Sequence, residues 1–187
     1  MPHSRTLPTP SNPTAEGTTY YGAATITAPA SLIWSTLLDL PNYTWNPFTP
    51  LITRDPPSSD SDSSELSVGA KLVVHAYIPP LPSSTLPHTP ASLEKHKQKA
   101  HKTPVQVSVI DPQRYMLAWK ATGYPSFFLK TERVMEIEDF GDGKCEFRNF
   151  ETFRGTGRHA VGLAVGAVSW DSFYDVDVPL FMPRSGA

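Results

Sequence analysis

The sequence predicts an α+β domain, a curved antiparallel sheet with its helices packed on one face. Three observations carry this. Outside its proline-rich stretches the chain reads mostly as strand-length runs of aromatic and β-branched residues. Two stretches read as helix, one opening at Pro29 and one over 157–176. Two long strands flank Gly141-Asp142-Gly143, a hairpin signature.

Taken in order, residues 1–17 are rich in Pro, Ser and Thr and read as a disordered tail. Residues 18–28, TTYYGAATITA, have strand length and composition. Pro29 suits a first helical position, and Ile33, Leu37 and Leu40, with Trp34 and Leu38, repeat at helical spacing up to Pro41. A short turn or helix, PNYTWNPFTP, follows. Residues 56–65, PPSSDSDSSE, hold no apolar anchor and read as a flexible loop. Strands are expected at 69–78, 104–111 and 115–122, with a second insertion over 79–103 that ends lysine-rich. The long hairpin strands span about 126–138 and 144–154, and the helix at 157–176 is stopped by Pro179. The domain is thus bounded at 18–178, with flexible insertions at 56–66 and 79–103 and a tail at 179–187.

Register in the hairpin follows from parity. Phe127, Leu129, Thr131, Arg133, Met135 and Ile137 share one face, and Cys145, Phe147, Asn149, Glu151 and Phe153 share another. Both faces are mostly apolar, so both belong inside. Only an odd-length loop sets them on the same side of the sheet. A three-residue Gly141-Asp142-Gly143 loop does this, with Gly143 free to adopt a left-handed conformation. Phe140 then opposes Lys144, and Arg133 opposes Glu151. The alternate residues, Glu132 and Val134 among them, fall on the face expected to be wet.

Composition excludes several functions. The chain has 187 residues and a formal net charge of -2, which provides no field for nucleic acid. Its single cysteine, Cys145, forms no internal disulfide, and no Cys/His cluster suggests zinc. No apolar run is long enough to span a bilayer, and no signal-peptide stretch opens the chain. The expectation is a soluble cytoplasmic protein without integral membrane association. Proline is in excess at 20 residues, concentrated at 1–13, 41–57 and 79–104. Nucleophile elbows, phosphate loops, dinucleotide fingerprints and metal triads are absent from the sequence, so an enzyme here would work without a cofactor.

The stretch ITAPASLIWSTLLDLPNYTWNPF, with Ala28-Pro29, Trp34, Asp39-Leu40, Tyr43 and Trp45-Asn46-Pro47, resembles the opening of the SRPBCC or START-like superfamily. This superfamily is also described as polyketide cyclase/dehydrase and lipid-transport proteins. Val68-Gly69 before a strand and FRNFETFRG at 147–155 fit the same pattern. The resemblance covers about residues 20–175. It implies a helix-grip fold: an antiparallel sheet wrapped around a C-terminal helix, with an apolar cavity between. It also implies a hydrophobic ligand, polyketide-like or lipid-like, that is either cyclised, dehydrated or isomerised or merely carried. The sequence departs from the pattern where Gly162 and Gly166 weaken the last helix, and no family histidine matches in KTERVM.

Arg133 and Glu151 form the most informative pair, charged residues on otherwise apolar faces. One reading is a pocket anchor, Arg133 for an anionic oxygen of the ligand and Glu151 as proton acceptor. The other is a structural cross-strand ion pair. Burial raises and the neighbouring arginine lowers the Glu151 pKa, so no strong base is expected. Thr131 and Asn149 share the face and can orient a ligand or serve as ordinary polar positions at a pocket edge. Trp34, Trp45, Tyr115, Trp119 and Phe147 either line a cavity or pack as core, with Asn46 beside Trp45 in the expected pocket wall. His159 either reaches the pocket mouth as an acid or base or is a solvated residue at the start of the last helix.

Overall fold

The computed structural model describes residues 7–56, 65–77, 80–82, 88–89, 91, 93–94 and 100–158. The described chain runs β1 (Thr18–Ile26), α1 (Ala30–Leu38), a 3₁₀ helix (Leu40–Trp45), β2 (Leu51–Arg54), β3 (Lys71–Tyr77), β4 (Ala100–Asp111), β5 (Met116–Ala121), β6 (Lys130–Asp139) and β7 (Cys145–Arg154). The seven strands form one antiparallel sheet in the order β1-β7-β6-β5-β4-β3-β2. The helix predicted over 157–176 lies, beyond Arg158, outside the described residues, as do Gly162, Gly166 and the segment 179–187.

Local chemistry explains the elements. Pro29 stays extended at the N-cap of α1, one position before the helical slot the sequence predicts, and its carbonyl accepts from the amides of Leu32 and Ile33. The helix buries Ala30, Ile33, Trp34 and Leu37 against the sheet. The main core joins these to Leu40 and Tyr43, Leu72 and Val74, Val105 and Val107, Leu117 and Trp119, Met135 and Ile137, and Cys145 and Phe147. Alternation within each strand therefore defines an inner face, under α1, and an outer face.

The hairpin register is as parity requires. Arg133 pairs with Glu151, Ile137 with Phe147, and the Phe140 amide donates to the Lys144 carbonyl at 3.1 Å. Both turn glycines take left-handed backbone, Gly141 at φ 81° and Gly143 at φ 77°. Strand ends differ from expectation. Pro125 to Phe128 turn before β6 begins, so Phe127 is 77% exposed rather than internal. The four-residue β2 is too short to register as a period in the sequence.

The outer face is not wet at its centre, where Glu132, Val134, Phe150 and Thr152 are buried. The sequence predicts a disordered segment there, but residues 7–17 lie across this face as a strap. Thr9 and Asn12 close a tight turn on each other's backbone at 3.1 and 2.9 Å, and both are buried. Leu7 and Val109 pack on a second apolar cluster of Met116, Ala118, Val134 and Phe150. Gly17, at φ 106°, carries the strap into β1. A Cβ there would lie 2.3 Å from the Phe153 carbonyl oxygen. Prolines at 8, 10 and 13 suit this path because they hold an extended backbone without needing donors of their own.

The two insertions also reach the core. Leu66 is buried in the main cluster, and Leu81 and Leu93 form a third cluster with Tyr77, Leu51 and Ala100. Amides of Leu81 and His88 donate to Pro47 and Thr44, tying the second insertion to the end of the 3₁₀ helix. Leu93→Ala is therefore expected to cost about 2 kcal/mol in urea unfolding, the low end for a buried leucine. An unchanged midpoint would return this segment to a free loop.

Candidate site on the inner sheet face

β6 and β7 place Arg133 and Glu151 side by side on the inner face. Arg133 Nε and Nη2 both donate to Glu151 Oε2, at 3.1 and 2.8 Å, with the side chains 11% and 17% exposed. Trp119 on β5 pairs with Arg133 from the other side. Thr131 and Asn149 are buried one step away on their strands, opposite Phe153 and Met135.

Aromatic side chains share this inner face. Trp34 of α1 packs on Tyr115 with ring centroids 6.0 Å apart, and Trp45 packs on Tyr43 at 5.1 Å. Trp34, Trp45, Tyr115, Trp119 and Phe147 all belong to or pack on the one inner cluster. The sequence-derived residues thus converge, with two differences. Asn46 turns its Oδ1 to the amides of Phe48 and Thr49, at 2.9 and 3.0 Å. Its side-chain oxygen closes the loop after the 3₁₀ helix, which is a local turn role. His159 lies outside the described residues.

Tyr43 is the residue that sequence reasoning passed over. It is 2% exposed, and its hydroxyl has no hydrogen-bond partner among the described residues. Burial pushes the phenol above its ordinary range, against the opposing pull of Arg133, so it stays protonated. Its signal was present: Tyr43 stands two positions before Trp45 in the stretch that carries the superfamily resemblance. A tyrosine in a helical turn simply reads as core. Cys145, fully buried beside the hairpin turn, has its thiol pushed up by burial and by Asp139, which makes it unreactive.

No family model matches the sequence, and no curated protein is similar to it. Solved structures are similar in fold. The di-domain ARO/CYC BexL from the BE-7585A biosynthetic pathway matches with TM-score 0.53 at 10% identity, over 87% of this chain and 44% of that one. The chain therefore spans less than half of that di-domain protein. Norcoclaurine synthase from Thalictrum flavum, in complex with dopamine and hydroxybenzaldehyde, matches with TM-score 0.52 at 10% identity, over 87% of this chain and 83% of that one. A START superfamily protein from Mycobacterium smegmatis matches with TM-score 0.50 at 14% identity, over 80% and 87%. These likenesses show the fold alone: an α+β domain whose seven-stranded antiparallel sheet resembles that of START-like, helix-grip structures. Among the described residues no helix is long and apolar enough to cross a membrane.

Proposed function

We propose that the inner face binds a hydrophobic small molecule, polyketide-like or lipid-like, that presents an oxygen function to Tyr43 and the Arg133–Glu151 pair. The observation that carries this is the Tyr43 hydroxyl. A buried hydroxyl without a partner costs free energy, and a ligand oxygen removes that cost. Aromatic walls from Trp34, Trp119 and Phe147 suit a flat or greasy ligand body. The fold neighbours support the ligand class: one is an ARO/CYC protein, and another is solved with two aromatic molecules.

Carriage is favoured over catalysis. Arg133 Nε and Nη2 converge on one Glu151 oxygen, so the carboxylate already serves as an ion-pair partner. Tyr43, held protonated, is a hydrogen-bond donor rather than a base. Binding of this kind needs no cofactor.

Titration with 2-naphthol and with 2-methylnaphthalene, read by fluorescence, tests the reading. Both should bind saturably to the native protein. Tyr43→Phe should weaken 2-naphthol about five- to tenfold, the effect of one lost hydrogen bond of about 1 kcal/mol, and leave 2-methylnaphthalene unchanged. Absence of saturable binding by either compound would remove the proposal.

A further inference from the structure

β5 and β6 are joined by residues 122–129, and this loop holds its aromatic side chains in water. Phe127 is 77% exposed, Tyr124 46% and Phe128 41%. Three exposed rings gathered on one turn mark a contact surface, which single scattered apolar residues do not.

The loop is built to keep that shape. The amides of Phe128 and Leu129 donate to the Pro125 carbonyl at 2.9 and 3.0 Å. The Thr122 amide donates to the Pro104 carbonyl at 2.9 Å, and the Phe128 carbonyl accepts from the Gly157 amide at 2.8 Å. Leu129 is buried and roots the turn. The Phe128 ring lies against Gly157, where a Cβ would come within 2.7 Å of it. A tip already ordered loses little freedom on docking.

Charge decides what the tip fits. Lys120, Lys130 and Arg154 stand beside the loop on three neighbouring strands. Lys130 pairs with Arg154 and Lys120 with Glu132, so all three fall on the outer face. Arg158, just past β7, is exposed. Among the described residues the ion pairs involve Arg133, Lys144 and Arg148, and none holds these four cations. Of the acids nearby, Glu151 is engaged by Arg133 and Glu132 by the hydroxyls of Thr9, Ser11 and Ser108, which leaves Glu16 ahead of β1. The opposite end of the sheet differs: its hairpin carries Glu138, Asp139, Asp142 and Glu146 beside Phe140. Lysine is depleted in the cores of protein interfaces. Exposed rings with a lysine and arginine collar instead match the layer of lipid headgroups.

We infer that the 122–129 loop docks this domain on the surface of a bilayer that contains anionic lipid. Phe127 enters the boundary between headgroups and acyl chains, with Tyr124 and Phe128 at headgroup level. Lys120, Lys130, Arg154 and Arg158 face the anionic headgroups. The domain lies on the membrane and does not span it.

Flotation of the full chain with vesicles tests this, using phosphatidylcholine alone and an equal mixture of phosphatidylcholine and phosphatidylserine. The protein should float with the mixed vesicles, and added salt should release it. Phe127→Asp should weaken binding about tenfold or more. Lys130→Gln and Arg158→Gln should each weaken it about fivefold. Circular dichroism should be unchanged for all three, because each side chain is exposed. Phe127→Trp should keep binding, and brominated acyl chains should quench its fluorescence more than that of wild type. Failure to float with the mixed vesicles would overturn the inference. Flotation that Phe127→Asp leaves intact would do the same. So would self-association that Phe127→Asp abolishes without any vesicle binding, since the loop would then be a contact between two copies of the chain.

Discussion

Glu132→Ala is expected to lower the unfolding free energy by about 3–4 kcal/mol. The carboxylate accepts four hydrogen bonds at 3% exposure, and its loss strands the donors of Thr9, Ser11 and Ser108. Charge-assisted bonds of this kind are worth about 1.5–3 kcal/mol each before the carboxylate's own desolvation is set against them. Burial alone would raise the Glu132 pKa, but the bonds from Ser11, Thr9 and Ser108 outweigh it and hold the group below its ordinary 4.5. The sign follows. A depressed folded-state pKa contributes stability that is present above the unfolded value and is lost as pH falls through the folded one. Wild type should therefore lose stability below about pH 4.5 more steeply than Glu132→Gln, which has no proton to take up at this position. Urea melts at pH 7 and pH 3 measure both effects. Hydrogen exchange over residues 8–16 should rise with either substitution. A cost under about 1 kcal/mol for Glu132→Ala would mean that the strap is held by its apolar contacts instead.

The second large effect concerns Arg133 and Glu151. Glu151→Gln should cost about 3 kcal/mol, the low end for breaking a buried pair, because residual exposure lets water reach Arg133. Exchanging both, Arg133→Met with Glu151→Leu, should recover most of that loss, since no uncompensated charge then remains. The comparison needs a neutral reference. Thr152→Val is unsuitable, because Thr152 is 2% exposed and its hydroxyl bonds to Thr19 at 2.8 Å. Lys130→Gln, at an exposed position, serves instead. Denaturant melts of the four proteins decide the matter. If Glu151→Gln leaves stability within about 0.5 kcal/mol of wild type and instead weakens 2-naphthol, the pair is a ligand anchor and contributes little to the fold.

What the sequence showed and what it hid divide along physical lines. The inner face was legible because strand alternation has a fixed period, and because the three-residue Gly-Asp-Gly loop leaves only one parity that buries Met135 with Phe147. The outer face was hidden because its burial depends on a partner 123 positions away. Glu132 and Val134 look like the wet half of an amphipathic strand until Thr9 and Ser11 are laid over them. The strap itself has the composition of a disordered tail. Its hydrophobic content is too low to predict docking, and its anchoring relies on hydroxyls aimed at one carboxylate. Asn46 misled for a different reason: its neighbour Trp45 does join the inner cluster, but its own side chain is turned to the loop.

In β4 the register shifts between Val107 and Val109, so Ser108 and Val109 are not on opposite faces as alternation would have them. One serves the Glu132 hub and the other the apolar cluster beside it. The pairing of the outermost strand has a longer reach. Among the described strands β1 pairs with β7 alone, and the contact between Thr19 and Thr152 joins residues 133 apart. During synthesis on the ribosome, the strand made first must wait for the strand made last among those described. The strap ahead of it waits as well, since its anchor is on β6. Until then an edge of β-forming sequence is exposed in the nascent chain, and that interval is the protein's window of vulnerability to aggregation.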